Sequence, residues 1–169
     1  MFTVKRIKQY FIQFPLWKIS ISALIVGIDR LTKILAESYL NPHQPIPILP
    51  SFDFVLMYNT GAAFSLLHNA GGWQRYFFIA ITLFVLIILW RWLSSLEAKN
   101  TILSAGLALI IGGAIGNLID RFITGAVVDF ISIYYLTWRW PAFNIADAAI
   151  SIGVSLLLID AILINPKTN

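Results

Sequence analysis

Of 169 residues, 59% are hydrophobic and 12% charged, with a mean hydropathy of +0.80, whereas soluble domains run about 45–50% apolar and about 25% charged. Such a chain needs a bilayer to solvate it, and its length fits one domain over residues 1–169. No cysteine is present, which excludes a disulfide framework and a Cys-based zinc site. The net charge of +4 does not form a basic stripe for nucleic acid, because the Lys and Arg residues flank apolar segments and act as topology determinants.

Residues 1–18 are basic, with Lys5, Arg6, Lys8 and Lys18. The apolar stretch 19–36 has no clean cleavage site after it and reads as an uncleaved first transmembrane helix. Asp29 and Lys33 lie four apart on one face of it, so they can pair. Two readings stand for that pair: a functional intramembrane charge, or an ion pair at the helix end with snorkelling side chains.

Residues 41–50 hold four prolines and mark an exit from the membrane. Ser51 to Asn59 reads as a strand, Gly61 suits a turn, and residues 62–67 a short interfacial helix. Further spans are expected over 73–92, 101–119 and 143–163, with outer connectors at 39–72 and 120–142. Gly112 and Gly116 form a small-xxx-small face, expected to pack the third span against the fourth. Four spans place both termini on one side. Lys5, Arg6, Lys8, Lys18, Arg91, Lys99 and Lys167 on that side, against Arg75, Arg121 and Arg139 on the other, make it cytoplasmic. The sequence thus predicts a membrane all-α fold with a small β element facing out.

Two aspartates carry the functional reading. Asp129, in the segment VVDF, and Asp147, in FNIADAAI, both fall at the boundary of the apolar layer. Asn144 and Asp147 share a helical face, as do Asn117 and Arg121. Two carboxyls sharing a site hold one proton between them. The ionised one can take a proton from water while the protonated one hydrogen-bonds to a scissile carbonyl. Which starts as base is undecided, because the pair titrates as a unit. Asp120 reads as a charge pair with its neighbour Arg121, Asp160 as a solvated interface residue, and Asn117 and Asn144 can equally be helix-bridging amides. His43 and His68 are too far apart for a His-rich metal site, which leaves only an oxygen-ligand set among the aspartates. A proton-coupled transporter built on the same carboxylates, and a non-catalytic assembly subunit, are the alternatives.

Five segments in order, Asp29-Arg-Leu-Thr-Lys33, Asn59-Thr-Gly-Ala-Ala-Phe64, Gly112 to Arg121, Val127-Val-Asp-Phe130 and Phe143-Asn-Ile-Ala-Asp147, strongly resemble the lipoprotein signal peptidases (signal peptidase II). The resemblance implies four helices in the bacterial inner membrane, with a sheet-like cradle on the extracytoplasmic side. It implies an aspartyl endopeptidase that cuts diacylglyceryl-modified prolipoproteins on the amino side of the lipidated cysteine, is sensitive to globomycin, and needs no metal or other cofactor. By motif, Asp129 and Asp147 would be catalytic, and Asn59, Asn117, Arg121 and Asn144 would bind substrate. Asp29, Lys33, Gly61, Phe64, Gly112, Gly116 and Asp120 would be supporting. The expected partners are the lipidated precursor and membrane lipid, with the enzyme acting as a monomer and binding no nucleic acid.

Overall fold

A computed structural model describes residues 16–61 and 71–164. In chain order these form α1 (Leu16–Tyr39), β1 (Ile46–Leu49), β2 (Phe52–Asn59), α2 (Gln74–Ser95), α3 (Thr101–Ile123), β3 (Val127–Tyr135), β4 (Trp138–Arg139) and α4 (Ile145–Ile159), the last continued by a wider π-helical turn over Asp160–Ile164. The fold is mostly helical, with one four-stranded antiparallel sheet ordered β1-β2-β3-β4. The expected helix at 62–67, together with Phe64, lies outside the described residues.

Among the described residues three helices are long and apolar enough to cross a bilayer: Gln74–Ser95, Thr101–Ile123 and Ile145–Ile164. α1 has the length but carries Lys18, Asp29, Arg30, Lys33 and Glu37, and it is not among the three. Its Lys18, Ser22, Asp29, Lys33 and Ala36 are buried, spaced to lie along a single helical stripe. Lys18, Asp29 and Lys33 are therefore turned toward protein, while Glu37 is exposed. Its Leu24, Leu31 and Ile34 are exposed, as are Phe84 and Ile87 of α2, at 63% and 61%. Apolar side chains so exposed suit lipid, not water.

α3 is the hub, in contact with α1, α2 and α4. Leu107 and Ile111 of α3 form an apolar cluster with Leu93 of α2, and Leu86, Leu103, Ile115 and Leu157 pack around it. Small residues let backbones approach where apolar attraction adds little between helices in lipid. The glycines divide this work differently from the expectation. A Cβ at Gly112 would meet Ile25 and Ser22 of α1, and one at Gly116 would strike Asp29 Oδ2 at 2.5 Å. The α4-facing positions are Gly106, opposite Gly153 O at 2.9 Å, and Gly113, against Ala146 O. The Gly112/Gly116 face is thus mainly α1's seat, and the α3–α4 contact lies one helical step round.

Element ends also differ from the sequence reading. α3 runs to Ile123, so Asp120 and Arg121 sit in its last turns. The second connector is mostly β3 and its hairpin with β4. α4 begins at Ile145, capped by Asn144 in extended conformation, so Asn144 is a cap and not a helical-face neighbour of Asp147. Lys18 is fully buried and donates to Leu93 O (3.5 Å) and Leu96 O (3.2 Å) at the end of α2. There a cation meets the negative end of the helix, where Leu93 O also accepts from Leu96 N. Asp160 is buried at 7% exposure, not solvated.

Candidate functional site

Asp129 lies in β3, opposite Met57 of β2, and Asp147 is the third residue of α4. Both line one cleft of about 750 Å³, walled by Asn59, Asn117, Arg121, Trp140 and Ile152 among others. One residue bridges the two carboxyls. Asn144 donates through Nδ2 to Asp129 Oδ1 at 2.7 Å. Its Oδ1 accepts from Asp147 N at 2.9 Å, and its own backbone N donates to Asp147 Oδ2 at 3.3 Å. This reciprocal capping box is worth about 0.5–2 kcal/mol to a helix start. Here it also fixes both carboxyls relative to one amide.

The other expected site residues gather on the same pair. Asn59 Nδ2 donates to Asp129 Oδ2 at 3.2 Å, and its Oδ1 accepts from Gly61 N at 3.0 Å. Asn117 Nδ2 donates to Asp147 Oδ1 at 2.7 Å. Its Oδ1 accepts from Asn144 Nδ2 at 3.2 Å and Lys33 Nζ at 2.9 Å. Arg121 holds backbone, donating to Gly61 O at 3.1 Å and Asn117 O at 3.4 Å, with its guanidinium over the Phe78 ring at 5.2 Å.

Behind the cleft lies a buried ion network. Lys33 Nζ sits 2.8 Å from Asp29 Oδ2 and 2.7 Å from Asp120 Oδ2. Asp120 also pairs with Arg30 and accepts from Val128 N at 3.3 Å. Asp29 Oδ1 accepts from Ala146 N at 2.9 Å. Asp120 is therefore a charge pair as expected, but its partners are Lys33 and Arg30 of α1; Arg121 turns to Gly61. The Asp29–Lys33 pair forms as expected and is fully buried, which excludes snorkelling. Its polar atoms tie α1 to α3 and to the start of α4, and Asp120 in turn holds β3 through Val128 N.

Burial, and then the charge of Asp147, push the Asp129 carboxyl up to about 7, against the opposing pull of Asn59, Asn144 and Lys33. At neutral pH Asp129 thus exchanges its proton readily beside a second carboxyl, the condition for acid–base work by such a pair. Among the described residues no group of three His, Cys, Asp or Glu side chains is arranged to hold a metal ion.

Several contributors went unread in the sequence. Arg30 stands beside the Asp29–Lys33 pair in the middle of α1, and a cation beyond what that pair needs was its signal. Tyr58 lines the cleft and donates to Glu37 of α1 at 3.2 Å. Asp53 and Ser132 face each other across β2 and β3 and share Arg139 of β4, at 2.9 Å from Asp53. No spacing rule points to contacts made 86 residues apart.

The family model described as signal peptidase (SPase) II matches residues 21–163. A lipoprotein signal peptidase of Acinetobacter baumannii is 47% identical over 156 residues, covering 92% of this chain and 88% of that one. One from Acinetobacter baylyi is 49% identical over 156 residues, covering 92% and 87%. A solved bacterial membrane enzyme, determined at 2.3 Å by the in meso method, superposes with a TM-score of 0.79 at 30% identity, covering 92% of this chain and 95% of its own. Matched along nearly its whole length, with the two aspartates and their amide partners inside the matched region, the chain belongs to the signal peptidase II family.

Proposed function

We propose that the protein is a membrane-embedded aspartyl endopeptidase that removes the signal peptide from diacylglyceryl-modified prolipoproteins, on the amino side of the lipidated cysteine. The observation that carries this reading is the joining of Asp129 and Asp147 through Asn144 in one cleft, with Asp129 titrating at about 7. One proton shared by the pair suffices for hydrolysis. The ionised carboxylate takes a proton from water as its oxygen attacks the scissile carbonyl carbon. The protonated carboxyl hydrogen-bonds the carbonyl oxygen, whose negative charge grows. Collapse of the tetrahedral intermediate breaks the C–N bond, and the leaving amine takes a proton from the pair.

A lipid-anchored substrate stays in the bilayer plane, so the cutting groups belong near its edge. Ile150 and Ile152 on the α4 wall of the cleft suit acyl chains. A peptide seat along β2 is open only in part. Phe52 to Phe54 pair on both sides, with β1 and β3, whereas Met57 to Asn59 pair with β3 alone. Among the described residues that edge of β2 is open, and an extended peptide would add to it one strand over from Asp129. Asn59, Asn117, Arg121 and Asn144 would orient it, and globomycin would compete for the same cleft.

In the same reading residues 1–169 form a single domain. All four helices cross the bacterial inner membrane with both termini cytoplasmic, and the cleft opens on the extracytoplasmic side. α1 can cross because its charges neutralise one another inside the bundle. The enzyme would act as a monomer without metal or other cofactor. The deciding experiment is cleavage of a diacylated precursor by the purified protein. Asp129→Asn and Asp147→Asn should each abolish turnover by at least about 10³-fold while helicity and detergent-phase folding persist. Full turnover in either variant would overturn the assignment.

A further inference from the structure

The β3–β4 hairpin exposes more apolar surface than any other part of the described sheet. Leu136 is 81% exposed, Tyr135 72% and Trp138 59%. Tyr135 pairs with Trp138, so Leu136 and Thr137 make a two-residue turn, and Leu136 has φ +53°. Turns of this kind favour Asn or Gly in water, because other side chains clash at positive φ. A leucine here means that the apex is selected for something besides turn geometry.

The remaining chemistry of the hairpin points to lipid. From Ile131 to Phe143 the only charged residue is Arg139. It is folded back onto the sheet, paired with Asp53 at 2.9 Å and lying over the Tyr134 ring at 4.6 Å. Trp138 and Trp140 meet edge to face at 5.5 Å. Tryptophan, tyrosine and a single arginine are the residues of a membrane–water boundary. The return strand also leads straight to the bilayer, since α4 begins at Ile145, five residues after Trp140. At the opposite edge β1 exposes Ile46, Ile48 and Leu49 and carries no charge, unlike the charged edge strands that keep soluble sheets apart.

We propose that the β3–β4 hairpin is a foot seated in the bilayer, with Leu136 and Trp138 inserted into the leaflet on the sheet's side and Arg139 at headgroup level. Asp129 lies six residues from Tyr135 in the same strand, about 20 Å along it. The seated foot therefore fixes the height and tilt of β3, and with it the height at which Asp129 meets a lipid-anchored substrate. That last consequence rests on the peptidase reading; the insertion itself requires only that the helices span a bilayer.

The chain has no cysteine, so Leu136→Cys gives one attachment point for an environment-sensitive fluorophore. The labelled full chain is placed in nanodiscs of phosphatidylethanolamine and phosphatidylglycerol, with Lys99→Cys as the water-exposed control, since Lys99 is 77% exposed. The expected result is strong quenching by lipids carrying a nitroxide near the headgroup, and at least fivefold weaker quenching by iodide than at position 99. Iodide quenching equal to the control, with no quenching by the nitroxide lipids, would overturn the proposal. Should Leu136→Cys fail to fold, the same label on Thr137→Cys reads the same apex. Neither readout involves turnover, so failure here is distinguishable from failure of the peptidase assignment.

Discussion

The three protons of the Lys33 ammonium meet Asp29, Asp120 and Asn117, and Asn117 in turn donates to Asp147. Lys33→Met keeps the volume but leaves buried Asp29 without its cation and Asp120 with Arg30 alone. Breaking a buried pair in this way costs about 3–5 kcal/mol, and thermal unfolding in detergent should show a loss of that order. Asp129 makes a separate prediction. The pair works while it holds one proton, so cleavage should decline as pH rises through about 7, read from rates between pH 5 and 9. The sign for stability runs the same way. A carboxyl raised from 3.8 to about 7 binds more protons folded than unfolded between those values, so its contribution is lost as pH rises toward 7. Asp129→Asn should therefore gain melting temperature over wild type at pH 8, and the gain should vanish toward pH 4. Asn144 and Asp147 were legible as partners from their spacing, but a shared helical face was the wrong reason. Their bond arises because the helix starts between them.

At the scale of elements, α4 is placed by contacts too close for side chains. A Cβ at Gly113 would meet Ala146 O, and Ile150 Cγ1 at 2.8 Å. Gly113→Val should push the start of α4 away and carry Asn144 and Asp147 with it. A loss of about 1–3 kcal/mol is expected for such overpacking, together with most of the turnover, measured on the purified variant. Gly27→Ala is the counterpart. Nothing lies within 4 Å of its Cβ, so the helix should gain up to about 1 kcal/mol with turnover unchanged. The glycine run of α3 was visible in the sequence as a packing stripe, but which glycine faces which helix was not. A spacing of four gives a face without naming the neighbour. β1 was hidden among four prolines; Pro47 is tolerated there because β1 is an edge strand.

Taken whole, the molecule is a helical bundle whose polar interior is concentrated at one end, beneath the sheet. A reporter fused after Lys99 should read cytoplasmic and one fused after Gly71 extracytoplasmic if four helices cross; the reverse pattern would invert the orientation. α1 carries the most weight in that test. It is the least apolar of the four helices, and at its centre Asp29 pairs with Lys33 while Arg30 and Lys33 meet Asp120 of α3.

Composition alone determined that the chain belongs in a membrane, because 59% apolar residues cannot be hidden in a core of this size. The order of its motifs likewise indicated the signal peptidase II family, since residue identity at fixed intervals survives in a linear string. Only the tertiary structure decided how the buried charges are shared. Arg30 and Lys33 meet Asp120 across some 90 positions, and Arg139 reaches Asp53 across 86. Electrostatic energy depends on distance in space, and in a low-dielectric interior that distance determines which carboxyl is neutralised and which keeps a proton to exchange.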